Sequence, residues 1–324
     1  MNRSYKIIAD AIKTLNVDIS GKIVMTEVGS QKYLYTPIIA SMCGASKVYA
    51  LAKDNKYGLA RDIIKDAENI CSALNIKNIL FLENEIPDGI LETCDIVTNS
   101  GNLRPINSEK ILKFKTGAVI PLMFEAWEFR NEDIDLALCK THNIKVGGTW
   151  ENHPAIKVFD YCGMLGVKMS LDAGFEVTGN NIIVWSDDDF GKTISAKFKN
   201  EGANVTTTTH LDVFYEQLPQ TDFVFLADYH EERTYFGESG LFDHQKILSL
   251  NNDIVFVHLY GNISLDFCLK NNIHISPSTN GYAKLMTHTL GYVGLIPILK
   301  LQVAGFKVAQ EMLGNEYSTL TQLL

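Results

Sequence analysis

What this sequence lacks narrows what it can be. No two of its six cysteines form a C-x-x-C pair: Cys43, Cys71, Cys94, Cys139, Cys162 and Cys268 lie apart, in apolar segments. That excludes a zinc ribbon or a dithiol redox motif and leaves reduced, buried thiols that pack as small apolar side chains. Positive charge is not in excess, with 29 basic against 38 acidic residues and a net charge of −9. Nucleic acid and anionic membrane surfaces are therefore excluded as main partners. No apolar run is long enough to cross a bilayer; the most apolar stretch, LGYVGLIPIL at 290–299, is followed by Lys300. The opening MNRSYKIIADAIKTLNVDIS reads as an amphipathic helix rather than a secretory signal. A cytoplasmic protein is expected.

What is present is a repeated rhythm of strand and helix. Apolar strand-like runs occur at 22–26, 47–51, 78–82, 95–98, 118–123 and 144–146, with helical patterns near 32–43, 58–74, 108–114 and 132–141. The second half repeats this, with strands at 181–185, 204–208, 222–226, 253–258 and 273–275 and helical patterns between them. Short loops between alternating strands and helices imply right-handed crossovers and parallel sheets. The expected fold class is α/β, with two doubly wound, Rossmann-like domains facing each other across a cleft and joined by long helices. The expected division is 1–150, then 151–280 with a crossover helix at 155–174, then a long helical segment over 281–324 with a kink at Pro297. Ligands of such sheets sit beyond the carboxyl ends of the strands, at the topological switch point.

A glycine fingerprint is also missing. In IIVWSDDDFGKTI (182–194) a strand runs into a turn and a helix, where a dinucleotide-binding domain keeps G-x-G-x-x-G. Ser186 and Asp188 stand at the first two glycine positions and only Gly191 fills the third. Carboxylates at Asp187 and Asp189 crowd the place of a diphosphate and would repel it. Ser186 and Gly191 are the candidate cofactor contacts here, with a helix cap and a divalent-metal site as competing readings of the three aspartates. The cap is preferred, and no metal is expected. The end of the next strand, Thr206 to Thr209, has no acidic residue to take a ribose.

The loops after the first-half strands are rich in polar side chains. T-E-V-G-S at 26–30 leads from the first strand to a helix, so Gly29 and Ser30 could hold an anion; Asp54 ends the second strand, where a carboxylate meets a ribose. The acidic-glycine turn and the second acidic residue are similar to the AdoMet-binding half of class I methyltransferases, although Gln31-Lys32-Tyr33 replaces the further glycines. NAD(P) and AdoMet are the two candidate cofactors, with Asp187 to Asp189 weighing against the first. N-S-G-N-L-R-P (99–105), F-E-A-W-E-F-R (124–130) and T-W-E-N-H-P (149–154) supply Asn99, Arg104, Glu125, Trp127, Glu128, Arg130, Glu151 and His153. Arginine suits a carboxylate or phosphate through its planar fork. His153 with a buried glutamate could exchange protons near neutral pH. Its competing role is to cap a helix that starts with Pro154.

From 155 to 290 the pattern resembles the formate/glycerate dehydrogenase-like fold of the D-2-hydroxyacid dehydrogenases. A helix precedes the strand IIVWS. D-F-V-F-L-A-D-Y-H (222–230), V-F-V-H-L-Y-G-N-I-S-L-D (255–266) and I-S-P-S-T-N-G (275–281) stand where that family keeps its later strand-end segments. The resemblance implies a substrate arginine at Tyr260 and a catalytic histidine at Ser278, and neither residue can do that work unaided. A divergent member with relocated chemistry is therefore expected. Its expected catalytic residues are His153, Glu125, Glu128 and His230. Its expected substrate contacts are Asn99, Arg104, Arg130, Glu151, Tyr260 and Ser278, and its expected ligand is a small polar or anionic metabolite. A homodimer is the expected assembly. A non-redox transferase or lyase using the first domain, and a binding protein without catalysis, stay open beside it.

Overall fold

The computed structural model describes residues 3–229 and 233–324. The chain forms two compact units, Met1–Val158 with Leu295–Leu324, and Phe159–Gly294. The first begins with helix α1 (Arg3–Leu15), whose Ile8, Ala11 and Leu15 turn inward at helical spacing. There follow β1 (Ile23–Glu27), α2 (Thr36–Met42), β2 (Lys47–Ala52), α3 (Ala60–Leu74) and β3 (Ile79–Glu83). Then come β4 (Ile96–Val97), α4 (Ser108–Ile111), β5 (Val119–Pro121), α5 (Leu136–Thr141) and β6 (Lys145–Thr149). Asn75, in the left-handed conformation, ends α3 and takes over its last carbonyls.

The second unit holds α6 (Tyr161–Asp172), β7 (Asn181–Trp185), α7 (Asp189–Asn200), β8 (Asn204–Thr208), α8 (Leu211–Gln217) and β9 (Phe223–Leu226). It continues with β10 (Thr234–Phe236), α9 (His244–Leu250), β11 (Val255–His258), β12 (Asn262–Ile263), α10 (Leu265–Lys270) and β13 (His274–Ser276). Its main sheet is parallel, in the order β13-β11-β9-β7-β8, so the switch point lies between β7 and β9. An aromatic core of Trp185, Phe214, Tyr235, Phe236, Phe242 and Phe256 packs on it.

The chain then returns to the first unit as α11 (Leu295–Gly314) and β14 (Thr321–Leu323). The first sheet has the order β14-β6-β5-β4-β1-β2-β3, all parallel except β14, which runs antiparallel to β6. Strand order reverses between β1 and β4, which places the switch point there. No helix among the described residues is long and apolar enough to cross a membrane.

Two helices differ from expectation. The helix expected over 155–174 begins only at Tyr161. Before it, Ile156 and Lys157 both donate to the His153 carbonyl, Val158 donates to the Glu151 carbonyl, and Lys157 has φ +47, so the chain closes a turn instead. The segment 281–324 is not helical throughout: only α11 is long, and it runs unbroken from Leu295. Pro297 lies in its first turn, where a missing N–H breaks no helical hydrogen bond, and the expected kink has no cause.

Candidate functional site

The carboxyl ends of β1, β4, β5 and β6 carry most of the polar residues singled out in the first unit. At the switch point, the buried Glu27 at the end of β1 accepts the Asn102 N–H at 2.8 Å. The Asn102 side chain in turn donates to the carbonyls of Val28 and Leu51 at 3.2 and 3.3 Å, clasping the ends of β1 and β2. Burial pushes the Glu27 carboxyl above its ordinary range, against the pull of these N–H groups and of Arg104.

Arg104 is the fixed cation of the site. Its Nε donates to the Asn99 Oδ1 at 3.2 Å and its Nη2 to the Asn99 carbonyl at 3.0 Å. Its guanidinium lies 5.3 Å from the Phe124 ring centre, and its Nε is 3.8 Å from Asp133. Arg130 engages the same Asp133 oxygen through Nε at 3.0 Å and Nη2 at 2.8 Å. Asn99 is fully buried and its Nδ2 has no hydrogen-bond partner among the described residues. A buried donor without an acceptor is costly, so an acceptor from outside the chain suits this place.

After β5 and β6 stand three glutamates. Glu125 accepts the Glu151 N–H at 2.6 Å and the Trp127 indole N–H. The loop is held by two close approaches. Ala126 N–H donates to the Gln322 side chain at 2.9 Å, and a Cβ on Gly148 would lie 2.4 Å from Ala126 N, so only glycine fits there. Glu128 is partly exposed at its surface yet densely surrounded. Burial first, then the neighbouring Glu125, push its pKa up to about 7. Burial and both other glutamates raise Glu151 well above the carboxylate range. Such a pair shares its titration, and the proton belongs to the cluster.

The remaining first-unit candidates are held in local roles. His153 accepts the Ala155 N–H at 3.3 Å through Nδ1 and lies edge-on to Trp150, and among the described residues it bonds to none of the glutamates. It caps its own turn rather than a helix. Asp54 accepts the Ala60 N–H at 2.7 Å and an Asn84 amide N–H at 3.3 Å, bracing the loop into α3. The Gly29 N–H donates to the Tyr33 carbonyl, closing the turn after β1, and the Ser30 side chain caps nothing.

In the second unit the SDDDFG turn has a definite structure. The buried Asp188 accepts from Phe190 N–H at 2.8 Å, Gly191 N–H at 3.1 Å and the Ser186 hydroxyl at 2.9 Å through Oδ1. Its Oδ2 accepts the Tyr229 N–H, just beyond β9, at 2.7 Å. The protein's own carboxylate thus sits on the N-terminus of α7 and bridges the switch point, where a diphosphate lies in sheets of this order. Asp187 and Asp189 point to solvent, Asp189 pairing with Lys192 at 2.8 Å. Gly191 is needed for packing, because a Cβ there would meet Ser186 at 2.4 Å.

Tyr260 is buried against Phe190 and Tyr229, with ring centres 4.9 and 5.2 Å away. Ser278 donates to the Ile275 carbonyl at 3.4 Å, and His230 lies outside the described residues. No group of three His, Cys, Asp or Glu side chains among the described residues is placed to hold a metal.

His258, at the end of β11, is a buried histidine that no sequence pattern marks. Its Nε2 donates to the Pro277 carbonyl at 2.9 Å, and Nδ1 has no partner among the described residues. Burial lowers its pKa to about 4. The fold therefore favours the neutral ring, and its contribution to stability is complete above the unfolded value near 6.5. It is lost as pH falls from there through about 4. His258→Gln should flatten the acid limb of a thermal melting series between pH 6.5 and 4. An unchanged limb would remove His258 as its cause.

With this geometry in place, comparison with solved structures is informative about the fold. A dipicolinate synthase chain from Bacillus halodurans superposes with TM-score 0.57 at 12% identity, covering 91% of this chain and 99% of that one. Its counterpart from Bacillus subtilis gives 0.58 at 12%, covering 93% and 100%. The pyruvate reductase of Chlamydomonas reinhardtii gives 0.52 at 10%, covering 92% and 98%. The fold is dehydrogenase-like. It is a divergent form of the D-2-hydroxyacid dehydrogenase-like fold, at an identity too low to carry any residue's role across. No family model and no curated protein matches the sequence.

Proposed function

We propose that the carboxyl end of the first unit's sheet is the active site of an enzyme acting on a small anionic metabolite. Arg104 and Asn99 anchor the anion and Glu128 exchanges the proton. The observation that carries this reading is the Asn99–Arg104 pair: a guanidinium pinned in orientation beside a buried amide donor that has no partner among the described residues. Prefixed donors of this kind bind a carboxylate or phosphate with little ordering cost. Glu128, near pKa 7, is matched to proton transfer at neutral pH.

A dinucleotide bound in the usual manner by the second unit is no part of this reading, because Asp188 already occupies the N-terminus of α7. The homodimer expected from the sequence remains part of it, and light scattering checks it.

Thermal-shift titration with lactate, malate and inorganic phosphate, and separately with NAD(H), NADP(H) and AdoMet, tests the proposal. At least one of the simple anions should stabilise the protein, and Arg104→Gln should weaken that response about tenfold or more. Equal response in wild type and variant would dismiss Arg104 as the anchor. Stabilisation by AdoMet alone would favour the transferase reading instead.

A further inference from the structure

The anchor described above uses one arginine, yet two meet at the same point. Arg104 Nε lies 3.8 Å from Asp133 Oδ2, and Arg130 places Nε and Nη2 at 3.0 and 2.8 Å from that same oxygen. The two guanidinium groups are therefore no farther apart than these contacts allow. Like charges repel at such range, and the carboxylate between them makes the approach tolerable. Asp133 is itself buried and fixed. Its carbonyl accepts the Ile106 N–H at 2.8 Å and its N–H donates to the Arg130 carbonyl at 3.0 Å, so it joins the loop after β4 to the loop after β5.

Both arginines keep donors to spare. Arg104 commits Nε and Nη2 to Asn99 and sets its guanidinium over Phe124, while Arg130 commits Nε and Nη2 to Asp133. Neither Nη1 donates a hydrogen bond among the described residues, and neither is sealed in the interior: the two side chains are 26% and 40% exposed. One aspartate also balances only one of the two positive charges. Burial raises the Glu27 and Glu151 carboxyls, so these neighbours cancel less of the charge that remains.

Building on the anion site above, we propose that Arg104 and Arg130 form a two-arginine clamp for a phosphoryl group, with Asp133 as the positioning residue that sets their spacing. A carboxylate has two oxygens in one plane, and a single guanidinium fork satisfies both. A phosphoryl group carries close to two negative charges and three acceptor oxygens, which take donors from two sides. The ligand class is a small phosphate monoester or the free ion.

Isothermal titration of the full chain at pH 8 with methyl phosphate, inorganic phosphate and lactate tests this. At least one phosphate should bind about tenfold or more tightly than lactate. Methyl phosphate ahead of the inorganic ion identifies an ester as the ligand, and the reverse order identifies the free ion. Arg130→Lys keeps the charge and loses the fork. It should weaken phosphate binding about tenfold, while lactate, held by Arg104, stays within about threefold. Asp133→Asn gives a test by sign. It removes a negative charge, so a purely electrostatic role makes phosphate bind more tightly, whereas the positioning role makes it bind more weakly; tighter binding would overturn that role. If this variant does not fold, Arg130→Lys decides. Phosphates no tighter than lactate, or unaffected by Arg130→Lys, would overturn the clamp and leave the Arg104 anchor standing. Binding of neither phosphate nor lactate would overturn both.

Discussion

Glu128→Gln should raise the stability of the protein at pH 8 by about 2 kcal/mol and change it little at pH 4.5. The fold holds the Glu128 carboxyl near pKa 7, against 4.5 for the free group, through burial and the adjacent Glu125. A raised carboxyl pKa means that folding favours the protonated form. Its contribution is therefore fully present below about 4.5 and is lost as pH rises through 7. A shift of that size corresponds to about 3 kcal/mol, reduced here because the side chain is partly exposed.

Glutamine has the shape of the protonated acid and never ionises, so it keeps the acid-side stability at alkaline pH. Glu151→Gln should act in the same direction, and the double variant should gain less than the sum, because Glu128 is one of the groups that raise Glu151. Denaturant melts at pH 4.5, 6 and 8 read all three variants. A parallel offset at every pH, or a loss at pH 8, would show that the glutamates do not strain one another. The stabilised variant should also lose turnover, the usual relation between a strained site and its use.

Asp188→Ala should cost about 3–4 kcal/mol and open an anion site that the wild-type protein keeps closed. The loss has two parts. One is a helix cap, about 1–2 kcal/mol, since Phe190 and Gly191 lose their acceptor. The other is the Tyr229 N–H beyond β9, which loses its Asp188 acceptor, about 1–3 kcal/mol. Asp188→Ser separates them, because a hydroxyl still caps α7 but cannot serve Tyr229 as well.

With the carboxylate gone, phosphate should raise the melting temperature of Asp188→Ala by more than that of the wild-type protein, since the freed amides and helix dipole favour an anion. A loss under 1 kcal/mol, or equal phosphate response in both proteins, would mean that Asp188 is not holding the crevice shut.

Sequence periodicity located most strands to within a residue or two, β6 running three residues beyond its expected end, because these strands are parallel and the central ones are continuous apolar runs. Ile183, Val184 and Trp185, or Val224, Phe225 and Leu226, can hardly be read otherwise. The short pieces escaped. β10, β12 and β14 have two or three residues each, below the length at which alternation is a signal. The late start of α6 was hidden because 155–160 has helical composition, while its turn is set by the backbone at Lys157.

Within the site, Arg104, Glu125, Glu128 and Glu151 were legible as charged residues at strand ends. Glu27 and Asp133 were not singled out. Glu27 stood in view as the acidic residue before Val28-Gly29, but its partner Asn102 is 75 residues away, and only the fold joins them. Asp133 pairs with Arg130 at a spacing that passes for an ordinary surface pair, whereas it is buried and lies next to Arg104.

β14 reaches the first sheet only after the whole of the second unit has been made, pairing Thr321 with Thr149. Its Gln322 then receives the Ala126 N–H and steadies the loop that carries Glu125 and Glu128. During synthesis, residues 159–294 can fold as a closed module while the earlier part of the chain waits for its last helix and edge strand. The glutamate cluster is thus among the last features to be assembled. Until β14 docks, β6 is an open edge of the kind that recruits foreign strands.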